Sequence, residues 1–273
     1  MVSRKTILVE AHVSGSGWTP GTAAAIHQAG LLASSSQAAV HLMTTEEEDD
    51  STPSPIRSLH EETASAFENL GVEMTSPVLA GGKSRGAGGQ PAPLSFAFLS
   101  LPDLINQPDC THRNQILEEC RNDVWLAAPQ AFDSDIPCLV VYDDLSFHGE
   151  QALRAAVSLA QQFQSRLLVV HAIPDENAEG LKSEIEATMQ ARLFGTDFRT
   201  LDQGVRQFVG NGTVEQVLQQ AVEQFDGSLV IFSWPHGPVQ AESLPTLMTA
   251  LNNANCSMLL IRTPDSLLRM ASA

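Results

Sequence analysis

A chain of 273 residues with 43% hydrophobic and 17% charged residues can bury one large or two ordinary cores, which excludes an intrinsically disordered protein. The formal net charge of −17, with 16 of the 32 acidic residues in each half, repels phosphate backbones and anionic lipids, so we expect neither nucleic-acid nor membrane binding. No apolar run reaches the roughly 20 residues of a membrane-spanning helix, and the first residues lack a signal-peptide pattern. We therefore expect a cytoplasmic protein.

The first half of the sequence predicts alternating strands and helices. Thr19-Pro20 has the residues of a helix N-cap and first turn, and Ser54-Pro55 repeats that signal. The acidic run 46–50 predicts a solvated loop, and the glycine-rich segment 81–93 predicts a surface loop in place of a crossover helix. In chain order we expect a strand at 7–9, a helix at 20–33, a strand at 40–43, a helix at 55–70, strands at 72–80 and 94–98, a short helix at 114–120 and a strand at 124–126.

The second half predicts the same alternation more clearly. Thr213, followed three residues later by Gln216, has the spacing of a capping box at a helix start. In chain order we expect a strand at 138–142, a helix from 150, a strand at 166–171, a helix at 181–189, a strand at 205–209, a helix at 213–225, a strand at 229–232, a helix at 247–251 and a strand at 258–261. This order favours a doubly wound parallel sheet with right-handed crossovers.

Corresponding strands of the two halves are separated by a nearly constant number of residues. The matched pairs and their spacings are Ile7 and Leu139 (132 residues), Val40 and Val170 (130 residues), and Val124 and Met258 (134 residues). Constant spacing across three strands predicts a duplicated unit of about 130 residues. We therefore expect two tandem domains, 1–133 and 134–273, each built on a five-stranded parallel sheet.

Several short motifs fall short of a known site. Gly82-Lys83-Ser84 resembles the end of a phosphate-binding loop, but Pro77 stands where that loop needs a glycine, so a surface loop is expected. The four cysteines have no C-x-x-C spacing, and the closest metal-like group is Cys110, His112 and Cys120; we expect reduced thiols and no metal site. No nucleophile–base motif is present, so we predict no catalytic residue and no enzyme.

The second half resembles the universal stress protein family over residues 138–262. The segments that match are Val141–Asp143, Leu168–His171, Phe208–Gly210, Leu229–Phe232 and Asn255–Arg262. The first half matches the family only in outline. The resemblance implies two tandem, Rossmann-like three-layer α/β/α units of the adenine nucleotide alpha hydrolase type.

The resemblance also implies where a nucleotide would bind. Asp143 matches the family residue near the base and ribose, Gly210 matches the glycine beneath the ribose, and Ser233 and Thr246 belong to the phosphate-binding segment. An alternative for Asp143 is a turn or N-cap residue before a helix. The family's phosphate-binding glycines are absent, and the three prolines of this segment lack the N–H donors that phosphate needs; they are Pro235, Pro238 and Pro245. Conventional ATP binding is therefore not expected.

The hypothesis that follows is a regulatory or stress-response binding protein without a cofactor, with a possible protein partner. The resemblance implies a pseudo-dimer within the chain, or a homodimer, in which the last strands Val124–Ala127 and Met258–Ile261 meet. One alternative is a sensor that binds ATP or another adenine nucleotide through Asp143 and Gly210. Another is an enzyme similar to electron-transfer flavoproteins, because Ile7–His12 loosely resembles the start of such a subunit; a colourless purified protein would exclude a bound flavin.

Overall fold

The computed structural model describes residues 6–44, 55–79, 94–106, 123–129, 136–173, 179–234 and 244–262, and these are the residues meant below. The chain divides into two compact units, and the division falls after Pro129, compared with residue 133 in the sequence prediction. The loops expected at 46–50 and 81–93, the helix expected at 114–120 and the group Cys110, His112 and Cys120 all lie outside the described residues.

The first unit contains a parallel sheet of five strands. Its strand order is β7-β6-β1-β4-β5, and β2 and β3 form a separate two-stranded antiparallel ladder. The elements are β1 (Thr6–Ala11), β2 (Val13–Ser14), β3 (Gly17–Trp18), α1 (Pro20–Ser36), β4 (Ala39–Thr44), α2 (Pro55–Asn69), β5 (Met74–Leu79), β6 (Leu94–Ser100), α3 (Leu101–Asn106) and β7 (Asp123–Ala127).

The second unit also contains a parallel sheet of five strands. Its strand order is β10-β9-β8-β11-β12. The elements are β8 (Cys138–Tyr142), α4 (Phe147–Phe163), β9 (Arg166–Ile173), α5 (Glu179–Phe194), a 3-10 turn (Phe198–Thr200), β10 (Val205–Asn211), α6 (Val214–Phe225), β11 (Leu229–Ser233), α7 (Leu244–Asn253) and β12 (Ser257–Ile261).

The two units have the same strand order when the five sheet strands of each are numbered along the chain. In both, the order is third, second, first, fourth, fifth, and all pairings are parallel. The predicted fold class, two doubly wound five-stranded α/β units, is therefore confirmed. In such a sheet, ligands bind beyond the carboxyl ends of the strands, at the point where the order reverses. That point lies between β1 and β6 in the first unit and between β8 and β11 in the second.

Local capping determines where several helices begin and end. The Thr19 hydroxyl accepts a hydrogen bond from the Thr22 N–H, and Thr213 and Gln216 form the complete capping box, as predicted. Helix α1 continues three residues beyond the predicted Ala33, because the chain turns into the left-handed conformation only at Gln37 (φ 53°). Strand β10 likewise extends beyond the predicted end, to Asn211.

Strands and helices both contribute to the core of each unit. In the first unit, the Trp125 ring stacks on Phe98 with centroids 5.1 Å apart, and its Nε1 donates to the buried Gln28 side chain at 2.7 Å. That bond satisfies a polar group that would be costly to bury alone. In the second unit, every residue of β8, β11 and β12 is buried, as expected of parallel strands covered on both faces. Among the described helices, none is long and apolar enough to cross a membrane.

Candidate functional site

The carboxyl end of β8 leads into a tight turn that starts α4. Leu145 has a positive φ of 62°, and the Ser146 side chain caps the helix by accepting from the N–H groups of His148 and Gly149. The Asp144 carboxylate accepts from the N–H and hydroxyl of Ser146 at 2.9 and 2.6 Å. A Cβ on Gly149 would lie 2.7 Å from Asp143 Oδ1, and closer still to Asp144 Oδ1. Glycine at this position therefore allows the turn to pack directly against the helix.

Asp143 is fully buried and both of its carboxylate oxygens are engaged. Oδ1 accepts from the Leu145 N–H at 2.9 Å, and Oδ2 accepts from Arg192 Nε at 2.8 Å. Burial raises the pKa of the Asp143 carboxyl above its ordinary value, although the Arg192 charge beside it acts in the opposite direction. The charge of this carboxylate is therefore paired within the chain, and neither oxygen is without a partner.

Arg192 reaches the site from the last turn of α5. Besides its bond to Asp143, its guanidinium donates to the carbonyl oxygens of Leu145 and Ser146, at 3.1 and 2.6 Å. All three guanidinium nitrogens therefore bond to the same turn, 143–146. The sequence prediction missed this residue. A signal was available, because Arg192 lies three residues after Met189 and seven after Ile185, on the apolar stripe of the helix.

Two aromatic side chains lie beside Asp143, near the carboxyl ends of β8 and β9. His171 Nδ1 lies 2.7 Å from the Asp143 carbonyl oxygen, which can only accept, so this ring nitrogen carries the proton. The His171 ring also stacks on Tyr142, with centroids 6.1 Å apart and planes 8° from parallel. Burial raises the pKa of Tyr142 to about 12. These contacts fix the strand end from which Asp143 projects.

The other predicted site residues occupy different places. Gly210 lies near the carboxyl end of β10, paired with Ala172, and a Cβ there would come within 2.7 Å of the Val217 side chain, so close packing of α6 explains the glycine. Ser233 is the buried last residue of β11. Asp143, Gly210 and Ser233 thus lie at carboxyl ends of strands of one sheet, whereas Thr246 is exposed in the first turn of α7. Their predicted contacts with a ligand stay predictions.

The first unit has a different polar group at the corresponding place. The position that matches Asp143 is the buried Ala11, at the end of β1. The carboxylate there comes from Asp103 of α3, which accepts from the hydroxyl groups of Thr19 at 2.6 Å and Thr22 at 3.4 Å. The sequence prediction missed Asp103. Its spacing from Ser100, whose hydroxyl accepts from the Asp103 N–H at 3.2 Å, is that of a capping box and could have indicated it.

One surface groove lies apart from these residues. It has a volume of about 190 Å³ and is lined by residues of α4 and of the turn after α5, including Arg154, Ser158, Gln161 and Asp197. None of the four predicted site residues lines it. Within the described part of the chain, no group of three or more histidine, cysteine, aspartate or glutamate side chains could hold a metal ion.

Comparison with solved structures shows the fold of the whole chain. A structure from Pseudomonas aeruginosa UCBPP-PA14 assigned to the universal stress proteins has a TM-score of 0.64 and 12% identity, covering 99% of this chain and 97% of its own. A universal stress protein from Archaeoglobus fulgidus DSM 4304 has a TM-score of 0.61 and 13% identity, covering 95% of this chain and 97% of its own. A protein of unknown function from Pseudomonas aeruginosa PAO1 has a TM-score of 0.62 and 13% identity, covering 98% and 95%.

The sequence comparisons identify the second unit. No curated protein matches the chain. Residues 137–262 match the model of the Universal stress protein family, and this range contains Asp143, Arg192 and every strand of the second sheet. The structural matches extend across both halves, and at 12% and 13% identity they show the fold alone. The sequence prediction is confirmed: the second unit is a universal stress protein domain, and the first unit has the fold of the same family.

Proposed function

We propose that this chain is a regulatory binding protein of the stress response, without catalytic activity and without conventional ATP binding. The observation that carries the proposal is the state of Asp143. This carboxylate is the side chain at the strand end that would accept hydrogen bonds from a nucleoside, yet it is fully buried and bonded to Leu145 and Arg192. A ligand would have to displace a charged partner before it could use this group.

The phosphate side of the site supports the same conclusion. Pro235 and Pro238 follow β11 in the sequence, and Pro245 lies in the first turn of α7. Proline has no backbone N–H, so each removes one of the donors that bind phosphate oxygens at a helix start. Thr246 retains its hydroxyl there, but a single hydroxyl cannot balance the charge of a triphosphate.

Titration of the full chain with ATP, ADP, AMP and cyclic AMP tests this proposal. We expect no saturable heat in calorimetry and no rise in Tm at millimolar ATP, because a ligand stabilises a protein only when it binds the folded state. A stoichiometric heat with ATP, accompanied by a rise in Tm, would contradict it.

A second candidate function is an adenine-nucleotide sensor that uses the second unit without a phosphate site. It is favoured by the common position of Asp143, Gly210 and Ser233 at the carboxyl edge of one sheet. The same titrations distinguish the candidates. A sensor of this kind would bind AMP or cyclic AMP and lose that binding in Asp143→Asn, whereas the first proposal predicts no response to any of the four nucleotides.

The proposal includes the pairing of the last strands that the family resemblance implies. Strand β7 is the last strand in the order of the first sheet and β12 the last in the second. If each pairs with another strand beyond its own sheet, amide groups on both sides of β12 are protected from hydrogen exchange. Strand β10, the opposite edge of the second sheet, is the matched control, and we expect its outward amides to exchange faster. Equal exchange at the outward amides of β10 and β12 would contradict the pairing.

A further inference from the structure

The Arg192 guanidinium bonds to the Asp143 carboxylate oxygen that does not accept from Leu145 in the turn. Leu145 covers Oδ1 from within the turn, and Arg192 covers Oδ2 from another helix. The ion pair has side-chain exposures of 0% for Asp143 and 16% for Arg192, so the arginine is the partner that keeps some exposed surface. A ligand that is to bond to Oδ2 must therefore replace the guanidinium.

Helix α5, which supplies Arg192, has few other attachments. Among its described side chains, 180–194, only Met189 and Leu193 are buried. By contrast, α4 buries eight residues, among them Leu153 and Leu159. Local stability follows buried contact area, so α5 can move from the sheet more easily than α4. The three bonds of Arg192 to the turn 143–146 connect α5 to the carboxyl end of β8.

We propose that Arg192 is an internal competitor for the ligand position of the second unit, and that a neutral ligand with hydroxyl or amino donors, such as a nucleoside, binds Asp143 only when α5 withdraws the guanidinium. The inference rests on the proposed function, because it explains why the folded chain does not bind a nucleotide conventionally. It makes Arg192 a residue that determines specificity. A neutral ligand gains nothing from the arginine and must replace it.

The proposal predicts how affinity depends on the arginine. When only a small fraction of the molecules has the arginine withdrawn, the apparent affinity is the intrinsic affinity multiplied by that fraction. Replacing Arg192 removes this penalty. We therefore expect Arg192→Ala to bind adenosine at least about ten times more tightly than the natural chain, while Arg192→Lys, which keeps a charge but cannot make all three bonds, lies between the two.

The experiment is calorimetric titration of the full chain with adenosine. The variants are Arg192→Ala and Arg192→Lys, and the control is Arg154→Ala, which removes an exposed arginine paired with Glu150 on α4. We expect a higher affinity for adenosine in the two Arg192 variants and an unchanged affinity in the control. Adding Asp143→Asn to Arg192→Ala should abolish the gain, which ties it to this carboxylate. If Arg192→Ala fails to fold, Arg192→Lys decides, because it retains the positive charge beside Asp143.

The outcomes separate this inference from the function proposed above. If the natural chain binds no nucleotide and the folded Arg192 variants bind no adenosine, the competitor role is wrong while the proposed function stands. If the natural chain already binds adenosine as tightly as Arg192→Ala, the competitor role is overturned. If the natural chain binds ATP stoichiometrically and Arg192→Ala still binds adenosine ten times more tightly, the proposed function fails and the competitor role remains.

Discussion

At the end of its first strand, the second unit places a buried ion pair, whereas the first unit places hydroxyl groups hydrogen-bonded to an aspartate. Each carboxylate joins a helix to another element of its unit. Asp143 lies on the strand end and receives an arginine from α5, while Asp103 lies on α3 and receives Thr19 from the start of α1. The comparison teaches that the same strand order is compatible with a carboxylate that follows a strand in one unit and lies on a helix in the other. The apolar strands determine the backbone, and these polar groups do not.

The largest expected effect is on the stability of the second unit. Removing the guanidinium in Arg192→Ala leaves a buried, uncompensated carboxylate, which typically costs about 3–5 kcal/mol. Native-state hydrogen exchange of the β8 amides measures this loss, and the β1 amides should not change. Because protonation neutralises the carboxylate, the loss should be smaller at acidic than at neutral pH. A loss below about 1 kcal/mol at neutral pH would show that the ion pair contributes little.

A smaller effect is expected where the two units use glycine for close packing. In Gly149→Ala the Cβ would lie 2.9 Å from the backbone nitrogen of Asp144, and in Gly21→Ala it would lie 2.7 Å from Pro102 Cγ. Overpacking of this kind costs about 1–3 kcal/mol, and we expect the larger loss at Gly149, because its obstacles include backbone.

Urea unfolding monitored in each unit by hydrogen exchange measures both losses. Gly180→Ala is the matched control, because a Cβ there meets nothing within 4 Å. Alanine also favours a helix over glycine, so this variant should be as stable as the natural chain or more stable. If Gly149→Ala behaves like Gly180→Ala, the close contact between the turn and α4 is wrong.

The first unit should respond to its own hydroxyl contact by a still smaller amount. Thr19→Val removes the cap of α1 and the bond to Asp103, for an expected loss of about 1 kcal/mol. Exchange of the β1 amides reports this loss, and Thr19→Ser, which keeps the hydroxyl, should retain most of the stability. Equal behaviour of the valine and serine variants would exclude a role for the hydroxyl.

The smallest effect is a spectroscopic one that belongs to the second unit alone. Tyr142 is the only tyrosine of the chain, and the matching residue of the first unit is Glu10. Titration followed by ultraviolet absorbance should show a single phenol midpoint near 12. Since the unfolded phenol ionises near pH 10, the contribution of Tyr142 to stability is complete below about pH 10 and is lost as pH rises toward 12. A midpoint near 10 in the folded chain would mean that Tyr142 is exposed.

The sequence predicted the five sheet strands of each unit and the starts of α1, α2 and α6, because hydrophobic runs and capping residues are local signals. It missed α3 and the ladder of β2 and β3, and it placed the starts of α4, α5 and α7 two or three residues late. The same reasoning predicted Asp143 at a strand end, with a turn residue as one alternative, and the bond from the Leu145 N–H fits that alternative. It could not predict Arg192 beside Asp143, because 49 residues separate the two and only the packing of α5 brings them together. Asp103 lies 84 residues from Thr19, so the capping spacing after Ser100 could indicate this aspartate but not the threonine that bonds to it.

The pairing of Arg192 with Asp143 gives a rule for interpreting related chains. A carboxylate with no exposed surface cannot keep its charge cheaply without a cation, so the two positions should change together as sequences diverge. In a relative that keeps the aspartate but has an alanine or glycine at the arginine position, we expect the carboxylate to bind a positively charged or hydrogen-bonding ligand from solution. Covariation of two positions would thus separate chains that sense small molecules from chains that supply their own substitute.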